Sequence, residues 1–287
     1  MPRALAATAA FRRQVGSIEL TVLSDGVLDV TLSFTLPETP RGDAEALLTA
    51  HGLPAARMPA QTNVSLVKTG DELVLIDAGS GSNYQATAGK LAENLEAAGV
   101  DPAKITKVVF THAHPDHLWG AIDDFDDTER FSNASYVISA AEWDFWIEPD
   151  SATRVCDCWT GAALASARIL RRLEKKIERR RPGEQVAPGL TLLETSGHTP
   201  GHVAVLLHSR GESLLIGGDV LTHVAISFAR PEWRHGGDMD RDRAIVTRKR
   251  LLDQLATERM PLVGFHLPWP GHGMVERSGT NYRFVPV

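Results

Sequence analysis

The segment THAHPDHLWG (111–120) concentrates metal-binding side chains directly after a short apolar run. It places His112, His114, Asp116 and His117 within six consecutive positions, although the whole chain has only 11 histidines in 287 residues. Imidazole and carboxylate ligands, without thiolates, suit zinc and other first-row divalent metals. In an extended loop His112 and His114 point the same way, whereas Asp116 and His117 follow a proline, where the chain turns. The segment therefore predicts ligands for two metal ions.

Three further apolar runs end in residues of the same kind. LTLLETSG leads into His198, SLLIGG into Asp219, and PLVGF into His266. Functional groups collect beyond the strand ends of α/β sheets, so four such ends predict one metal site at a sheet edge. Seven ligands are too many for one four-coordinate zinc ion. We expect one ion on His112, His114 and His198, a second on Asp116, His117 and His266, and Asp219 as a bridge.

The elements that must position these ligands follow from apolar periodicity and turn residues. A β-hairpin is predicted over 18–30 with its turn at 24–26, and residues 35–60 are expected to be irregular with one short helix. Strands are predicted at 64–67, 73–79, 107–112, 135–139, 190–194, 203–207, 213–217 and 262–265. Helices are predicted at 84–98, 140–148, 162–181 and 240–257.

The segments HAHPDH, SGHTPGH, GGD and a late FH, in this order, resemble the metallo-β-lactamase superfamily. The resemblance runs from about residue 17 to the C-terminus. It implies an α/β (α+β) fold, a four-layer αββα sandwich of two mixed sheets flanked by helices, with a dinuclear site at one edge. We therefore expect an N-terminal tail over residues 1–16 and one domain over residues 17–287. VLSDGVLDV, VSLVKTGDELVLIDAG and the C-terminal segment are most similar to the methyl-parathion-hydrolase-like branch, which includes organophosphate hydrolases, lactonases and arylesterases.

Such a site would hydrolyse its substrate without a serine or cysteine nucleophile. Two divalent ions about 3.5–4 Å apart can hold a bridging water and lower its pKa, which gives hydroxide as the attacking group. The cluster stays positively charged and can polarise a carbonyl or phosphoryl oxygen. Asp116 or Asp219 is the expected proton carrier. None of the three tyrosines is adjacent to a predicted ligand, so no phenolic acid is assigned. Zinc is the expected metal, with manganese, cobalt and iron as alternatives.

Other side chains have supporting roles in this interpretation. Each ligand imidazole must be oriented through its second nitrogen. Asp77, at the end of LVLIDAG, resembles the superfamily's aspartate that does this. His202, four residues after His198, is expected to be a hydrogen-bonded structural histidine rather than a ligand.

The pocket walls are expected to be apolar and aromatic. Candidates are residues that follow the ligands in the sequence, namely Trp119, His223, Phe228 and Trp269. His51, His208 and His235 are interpreted as surface or packing residues. An aromatic, neutral pocket favours an uncharged ester or lactone over a polyanion.

The expected function is therefore hydrolysis of carboxylic esters or lactones, of the acyl-homoserine lactone or aryl ester type, with phosphotriesters as possible promiscuous substrates. The alternatives are a dedicated organophosphate hydrolase, a glyoxalase-II-like thioesterase, a tRNA-processing nuclease and a β-lactamase. From another class, a non-hydrolytic diiron redox domain or metal-binding module remains open. The sequence does not identify the true substrate.

Net charge, hydropathy and cysteine content limit the classes of partner and the cellular setting that the sequence favours. A formal net charge of −6 argues against nucleic acid or an anionic membrane as the main partner. No apolar stretch approaches the roughly 20 residues that span a bilayer. Two cysteines in the whole chain cannot form a disulfide framework, which favours a cytoplasmic setting over export. The family resemblance implies a homodimer.

Overall fold

The computed structural model describes residues 10–55, 57–123, 125–156 and 159–287. In these residues the strands are, in chain order, β1 (Ala10–Val15), β2 (Ile18–Val30), β3 (Met58–Thr69), β4 (Glu72–Ile76), β5 (Lys107–Val109), β6 (Ile122–Asp123), β7 (Thr128–Glu129), β8 (Ser135–Ser139), β9 (Ile177–Arg180), β10 (Gln185–Ala187), β11 (Leu190–Glu194), β12 (Val203–Ser209), β13 (Glu212–Ile216), β14 (Leu262–Val263), β15 (His272–Ser278) and β16 (Asn281–Pro286). The α-helices are α1 (Leu32–Thr35), α2 (Arg41–Ala50), α3 (Leu91–Ala97), α4 (Pro115–Leu118), α5 (Ala140–Ile147), α6 (Thr160–Leu173), α7 (Ile226–Ala229) and α8 (Arg241–Glu258).

Fourteen of these strands form two mixed sheets of seven strands each, and β6 and β7 form a separate antiparallel pair. Sheet 1 has the order β1-β2-β3-β4-β5-β8-β9, and sheet 2 has the order β10-β11-β12-β13-β14-β15-β16. In sheet 1 the pairs from β4 to β9 are parallel, and in sheet 2 the pair β13–β14 is parallel. The remaining pairs within each sheet are antiparallel.

Side-chain alternation along each strand divides the apolar residues between two layers. In β4, Val74 and Ile76 point into the cluster between the sheets, where they meet Val205 and Leu214 of sheet 2. Leu75, between them in sequence, points to the opposite face and joins the cluster under the helices. This period of two is the pattern of a strand that is buried on both faces. Each such buried side chain contributes about 1.5–3 kcal/mol to the hydrophobic driving force.

Helices cover both outer faces. Leu95 of α3, Trp146 of α5 and Leu170 of α6 pack on sheet 1. Leu252 and Leu255 of α8 pack on sheet 2. The αββα sandwich that the resemblance implied is therefore confirmed. No helix in the described residues combines the length and apolar character needed to cross a membrane.

The N-terminal tail predicted over residues 1–16 is too long. Residues 1–9 lie outside the described residues, but residues 10–15 form β1, which pairs antiparallel with β2 through a tight turn at Gly16. The apolar ends of this short segment are buried, because Val15 lies in the cluster between the sheets and Phe11 packs against it.

The hairpin predicted over 18–30 is also wrong, because both halves belong to the single strand β2. Ser24 pairs with Asn63 and Val27 with Gln61 of β3, so two residues bulge opposite one. A Ser-Asp-Gly sequence suits such a bulge as well as a turn, since Gly26 takes φ +117°.

Two predicted helices are shorter than expected. The first, 84–98, begins only at Leu91, and the preceding residues form a loop in which Gly89 approaches Gly81 too closely for any side chain. The second, 162–181, ends at Leu173, after which Ile177 pairs with Tyr136 in the edge strand β9. The charged side chains of β9 protect this edge of the sheet from pairing with another strand. In the sequence, the same charges resemble the solvated face of a helix. The C-terminal hairpin of β15 and β16 was not predicted.

Candidate metal centre

The ligand-bearing loops all follow the carboxyl ends of strands. In sheet 1, the parallel strands β4 and β5 end next to each other, before Asp77 and the 111–117 segment. In sheet 2, β11 and β13 are both antiparallel to β12, and β14 is parallel to β13, so these three strands run the same way. The loops that follow them bring His198, Asp219 and His266 to the same edge.

The first ligand group consists of His112, His114 and His198. Their potential ligand atoms lie within 4.8 Å of one another, and all three side chains are buried. Nε2 of His198 lies 3.0 Å from Nδ1 of His114. Two nitrogens bound at 2.0–2.1 Å to one tetrahedral zinc would be roughly 3.3 Å apart. The arrangement can therefore hold one metal ion.

The second ligand group consists of Asp116, His117, Asp219 and His266, whose ligand atoms also lie within 4.8 Å of one another. Nε2 of His266 is 3.2 Å from Oδ2 of Asp116 and 3.1 Å from Oδ2 of Asp219. Nε2 of His117 is 3.5 Å from Oδ2 of Asp116. These are the side chains that the sequence assigned to the second ion, together with the predicted bridge.

Asp219 contacts both groups. Its Oδ1 lies 3.2 Å from Nε2 of His117, and its Oδ2 lies 3.3 Å from Nε2 of His198 and 3.1 Å from Nε2 of His266. A carboxylate with its oxygens between two sets of ligands has the geometry of a bridging ligand.

Unpartnered polar atoms test whether metal ions fit these groups. Nε2 of His112, Nε2 of His117 and Oδ1 of Asp219 are buried without a hydrogen-bond partner among the described residues, because the 3.2 Å contact between the last two lacks hydrogen-bond geometry. Buried polar atoms are rarely left unpaired unless an ion or water satisfies them. The three atoms belong to both groups and are the potential ligand atoms, so the site is consistent with two bound metal ions.

Electrostatics within the site also favour cations. Burial alone would lower the pKa of each ligand histidine. The buried Asp219, Asp116 and Asp77 nevertheless raise the pKa of His117 well above its usual value. Against the same effect of burial, Asp219 and Asp116 raise the pKa of His266 to about 10. The carboxylates thus create a strongly negative field, which divalent ions would neutralise.

Asp77 has the orienting role expected from the sequence position. Its Oδ2 accepts a hydrogen bond from Nδ1 of His117 at 2.8 Å, which leaves Nε2 free to bind a metal. Oδ1 accepts from the backbone N–H of Thr111 at 2.8 Å, and the Thr111 hydroxyl lies 3.1 Å from Nδ1 of His112. Asp77 itself has φ +65°, a conformation that orients the carboxylate back toward the ligand loop.

His202 lies outside both ligand groups and contacts Asp219 through the backbone. Its Nε2 accepts a hydrogen bond from the Asp219 N–H at 3.0 Å, and its Nδ1 is 2.9 Å from the Thr195 hydroxyl. Burial and the neighbouring His198 lower the pKa of His202 to about 3, so the ring is neutral. Gly218 is required beside it, because a Cβ there would lie 2.7 Å from Nε2 of His202.

Asp238 orients His198, and the sequence reasoning missed it. Its Oδ1 lies 2.9 Å from Nδ1 of His198, and its Oδ2 pairs with Nη2 of Arg248 at 2.7 Å. Both partners of the carboxylate are buried. Asp238 follows no strand and belongs to no motif, so the only signal was its position in a Gly-Gly-Asp-Met-Asp segment.

We expect Asp238→Asn to weaken metal binding about 10–100-fold, the usual cost of removing a residue that orients a metal ligand. An amide has one acceptor oxygen and cannot serve both the imidazole N–H of His198 and the guanidinium of Arg248. A competition titration with a chromophoric chelator measures this change. Asp253→Asn is the matched control, because Asp253 is an exposed residue of α8 that pairs with Arg277 of β15. Equal affinities in wild type and Asp238→Asn would contradict the assigned role.

A cavity of about 350 Å³ opens onto the two ligand groups. Among its lining residues are His114, Asp116, His198, Asp219 and His266. Apolar and aromatic walls come from Leu28, Val30, Phe34, Met58, Ala60, Tyr84, Trp159 and Ala162. No lysine or arginine is among the described residues that line it, and the one charged side chain apart from the ligands, Asp29, pairs with Arg57 at 3.0 Å.

Only one of the four predicted pocket residues lines this cavity, namely His223. Phe228 is fully buried in the cluster under α8, where it contacts Phe284. Trp269 packs against the cluster between the sheets. Trp119 packs under the helices and donates its indole N–H to Ser166 at 3.1 Å. These three predictions are wrong because proximity in sequence to a ligand does not determine which way a side chain points.

Most of the cavity lining was not anticipated from the sequence, including one histidine and one tyrosine. His235, interpreted from the sequence as a surface or packing residue, lines the cavity. Tyr84 lines it as well, and burial with the nearby Asp116 and Asp219 raises the pKa of its phenol, which therefore stays protonated. Tyr84 lies in the loop that was expected to be helical, so its place in the cavity wall could not be predicted from the sequence.

The sandwich and the two ligand groups at its edge define a dinuclear metal-binding fold. The family profile described as the metallo-beta-lactamase superfamily matches residues 57–266, which include all seven ligands. The chain belongs to this superfamily, and it is a metal-dependent hydrolase.

Individual relatives agree with this assignment. The chain is 28% identical to AidC, a dizinc quorum-quenching lactonase solved with the product N-hexanoyl-L-homoserine, with a TM-score of 0.92 and 97% of each chain covered. It is 26% identical to the hydrolase AbOPH, with a TM-score of 0.90 and 98% of each chain covered. An N-acyl homoserine lactonase from a Bacillus species is 25% identical over 196 residues, which span 67% of this chain and 65% of that protein.

Proposed function

We propose that this protein is a dizinc lactonase that hydrolyses neutral lactones with an acyl chain, of the N-acyl homoserine lactone type, and that it also accepts aryl esters. The observation that carries the proposal is the cavity at the ligand groups, whose walls are mostly apolar, with neutral polar groups, and contain no lysine or arginine among the described residues. Such walls suit an uncharged substrate with an apolar group and offer nothing to bind a phosphodiester, glutathione or another polyanion.

The similarity to AidC and to the Bacillus lactonase supports the same substrate class. A volume of about 350 Å³ lies at the lower end of the range for small-molecule sites, roughly 300–1,000 Å³. This size suits a lactone ring with a short or medium acyl chain.

Bound divalent ions would lower the pKa of water towards neutrality and polarise the carbonyl. The chain's own residues supply the rest. Asp116 and Asp219 line the cavity and can carry a proton to the leaving oxygen. Neutral side chains that line the cavity, among them the phenol of Tyr84 and the imidazole of His223, can donate a hydrogen bond to a carbonyl oxygen.

His223 is held in one tautomer. Its Nδ1 accepts hydrogen bonds from the backbone N–H groups of Ala225 at 3.1 Å and Ile226 at 3.2 Å. Burial, with a smaller contribution from His51, lowers the pKa of His223 to about 4, so the ring is neutral at pH 7. A neutral ring whose Nδ1 is an acceptor carries its proton on Nε2. We assign this N–H to the carbonyl or leaving oxygen of the substrate.

We expect His223→Ala to lower kcat by about 10²-fold, the usual cost of losing one donor to a developing oxyanion, while metal content stays at two equivalents. Steady-state kinetics with metal analysis measures both quantities. His208→Ala, at an exposed histidine on β12, is the control. If His223→Ala keeps wild-type kcat and Tyr84→Phe loses it, the donor is the phenol.

The function itself is tested by kcat/KM on N-acyl homoserine lactones of several chain lengths, aryl acetates and dialkyl aryl phosphates. We expect the lactones to be preferred, with values of at least ~10⁴ M⁻¹s⁻¹. A preference for the phosphates would instead identify a dedicated organophosphate hydrolase, since the neutral cavity also suits a phosphotriester. Metal-loaded protein that turns over none of these substrates would contradict both functions.

A further inference from the structure

A buried glutamate lies behind the first ligand group and contacts neither the ligands nor the cavity. Glu142, in the first turn of α5, is fully buried. Its Oε1 accepts hydrogen bonds from the Ala113 N–H at 2.9 Å and the Trp146 indole N–H at 2.6 Å. Its Oε2 accepts from the Thr199 hydroxyl at 2.7 Å and the Gly201 N–H at 2.9 Å. Both oxygens are thus fully used.

Three of these four partners, Ala113, Thr199 and Gly201, belong to the two loops that carry the first ligand group, and the fourth, Trp146, lies on α5 itself. Ala113 stands between His112 and His114, and Thr199 directly follows His198. The two loops are distant in sequence and follow strands of different sheets. Glu142 is therefore a direct link between the loops on the side away from the cavity.

Packing around α5 supports this link. The Ser139 hydroxyl, at the N-cap of α5, donates to the Gly201 carbonyl at 2.5 Å. A Cβ on Gly201 would lie 2.0 Å from the Glu142 nitrogen, so only glycine allows the loop to approach this closely. The Ser-x-x-Glu sequence is typical of a capping box, in which the glutamate turns back to its own helix. Here the glutamate side chain instead points to the ligand loops.

We propose that Glu142 is the positioning residue that sets the spacing of the three histidines in the first ligand group by holding both ligand loops. The inference rests on the dinuclear centre and does not depend on which substrate the enzyme hydrolyses. A carboxylate is required because three of the four partners are N–H groups that cannot accept a hydrogen bond. A glutamine side chain has two orientations. In one its NH₂ group would face the Ala113 N–H, and in the other it would face the Gly201 N–H, so in both cases two donors would meet.

Glu142→Gln tests whether the carboxylate positions the ligand loops without changing how the side chain fills space, because glutamine has nearly the same shape as glutamate. We expect one of the two metal ions to bind about 10–100-fold more weakly, as when other residues that orient ligands are removed. The readouts are a Co²⁺ titration, followed by the visible absorption of the bound ion, and a Zn²⁺ competition titration. In wild type two equivalents should bind. In Glu142→Gln one of the two equivalents should bind with lower affinity, and the absorption spectrum of the bound cobalt should change.

Asp25→Asn is the matched control for loss of stability. Asp25 is also a buried carboxylate that accepts three backbone N–H bonds, from Ser80, Gly89 and Leu91. It holds the 80–91 loop and touches neither loop of the first ligand group. We expect Asp25→Asn to lower the melting temperature of the metal-free protein comparably and to keep wild-type affinity for both ions.

If Glu142→Gln does not fold, Thr199→Val removes a single donor and should weaken the same ion by at least ~3-fold. Wild-type metal affinity and an unchanged cobalt spectrum in Glu142→Gln, or in Thr199→Val where only that variant folds, would overturn the inference. The same result would leave the proposed lactonase function untouched, because that function is judged on the substrate panel with wild-type protein.

Discussion

Asp219→Ala is expected to lose nearly all hydrolytic activity. The oxygens of Asp219 lie within 3.3 Å of ligand nitrogens in both groups, so its removal takes away a ligand that the two groups share. It also removes one of the two carboxylates that offset the charge of the ions. We expect kcat/KM to fall well beyond the ~10–100-fold typical of residues that only orient a ligand. Metal analysis should find fewer than two equivalents.

The substitution Asp219→Asn should fall between alanine and wild type, because the amide keeps one ligand oxygen but no charge. Asp144→Ala, at an exposed position on α5, controls for the loss of an aspartate elsewhere. Full activity of Asp219→Ala with two bound ions would show that the carboxylate does not bridge them.

Removal of the metal ions by a chelator is expected to abolish turnover and to lower the melting temperature. Without ions, buried ligand atoms of His112, His117 and Asp219 have no partner, and the folded state retains the full cost of burying them. A ligand present at 100 times its Kd stabilises the folded state by about 2.7 kcal/mol. At about 2–4 °C per kcal/mol, each lost ion should lower the melting temperature by roughly 5–10 °C.

Differential scanning fluorimetry and an ester assay, run before and after dialysis against the chelator, measure both effects. Adding back Zn²⁺, Mn²⁺ or Co²⁺ separately shows which metal restores activity. Chelated protein that keeps its activity and melting temperature, and in which metal analysis finds no ions, would contradict a metal-dependent reaction.

The grouping of the candidate metal ligands could be predicted from the sequence because their positions follow from local rules. Each follows an apolar strand, and the carboxyl ends of parallel strands meet at one edge, so His198 and His266 could be placed near His112 without any contact information. Asp77 was assigned from the family resemblance, at the end of the strand LVLIDAG. The fold followed from the same strand pattern together with the family resemblance.

The cavity walls could not be predicted, because they combine the ends of β2 and β3 with short segments that have no regular pattern. Phe34 lies between the predicted hairpin over 18–30 and the segment 35–60, where no element was predicted, and Tyr84 lies in a loop expected to be helical. Trp159 directly precedes α6, whose predicted start was later. Whether an aromatic side chain faces a cavity or the core depends on the local backbone conformation, as Phe228 shows. Apolar periodicity does not predict that conformation in short loops.

The Ser-Asp-Gly segment of β2 shows a different limit. Its composition suits both a turn and a bulge, and only pairing with β3 on both sides distinguishes the two. The bulge lets Asp25 accept hydrogen bonds from the 80–91 loop, which tertiary structure alone could reveal.

The division of labour between strand ends and irregular loops has a consequence for how this enzyme could diversify. The ligands of the ions follow the strands of the sandwich at one edge, whereas the rest of the cavity lining comes from several separate segments, such as 28–35 and 84–85. Insertions or exchanges in those segments can therefore retune which molecules are accepted while the hydrolytic chemistry is inherited intact. New specificities can arise in this architecture by changing the lining one segment at a time.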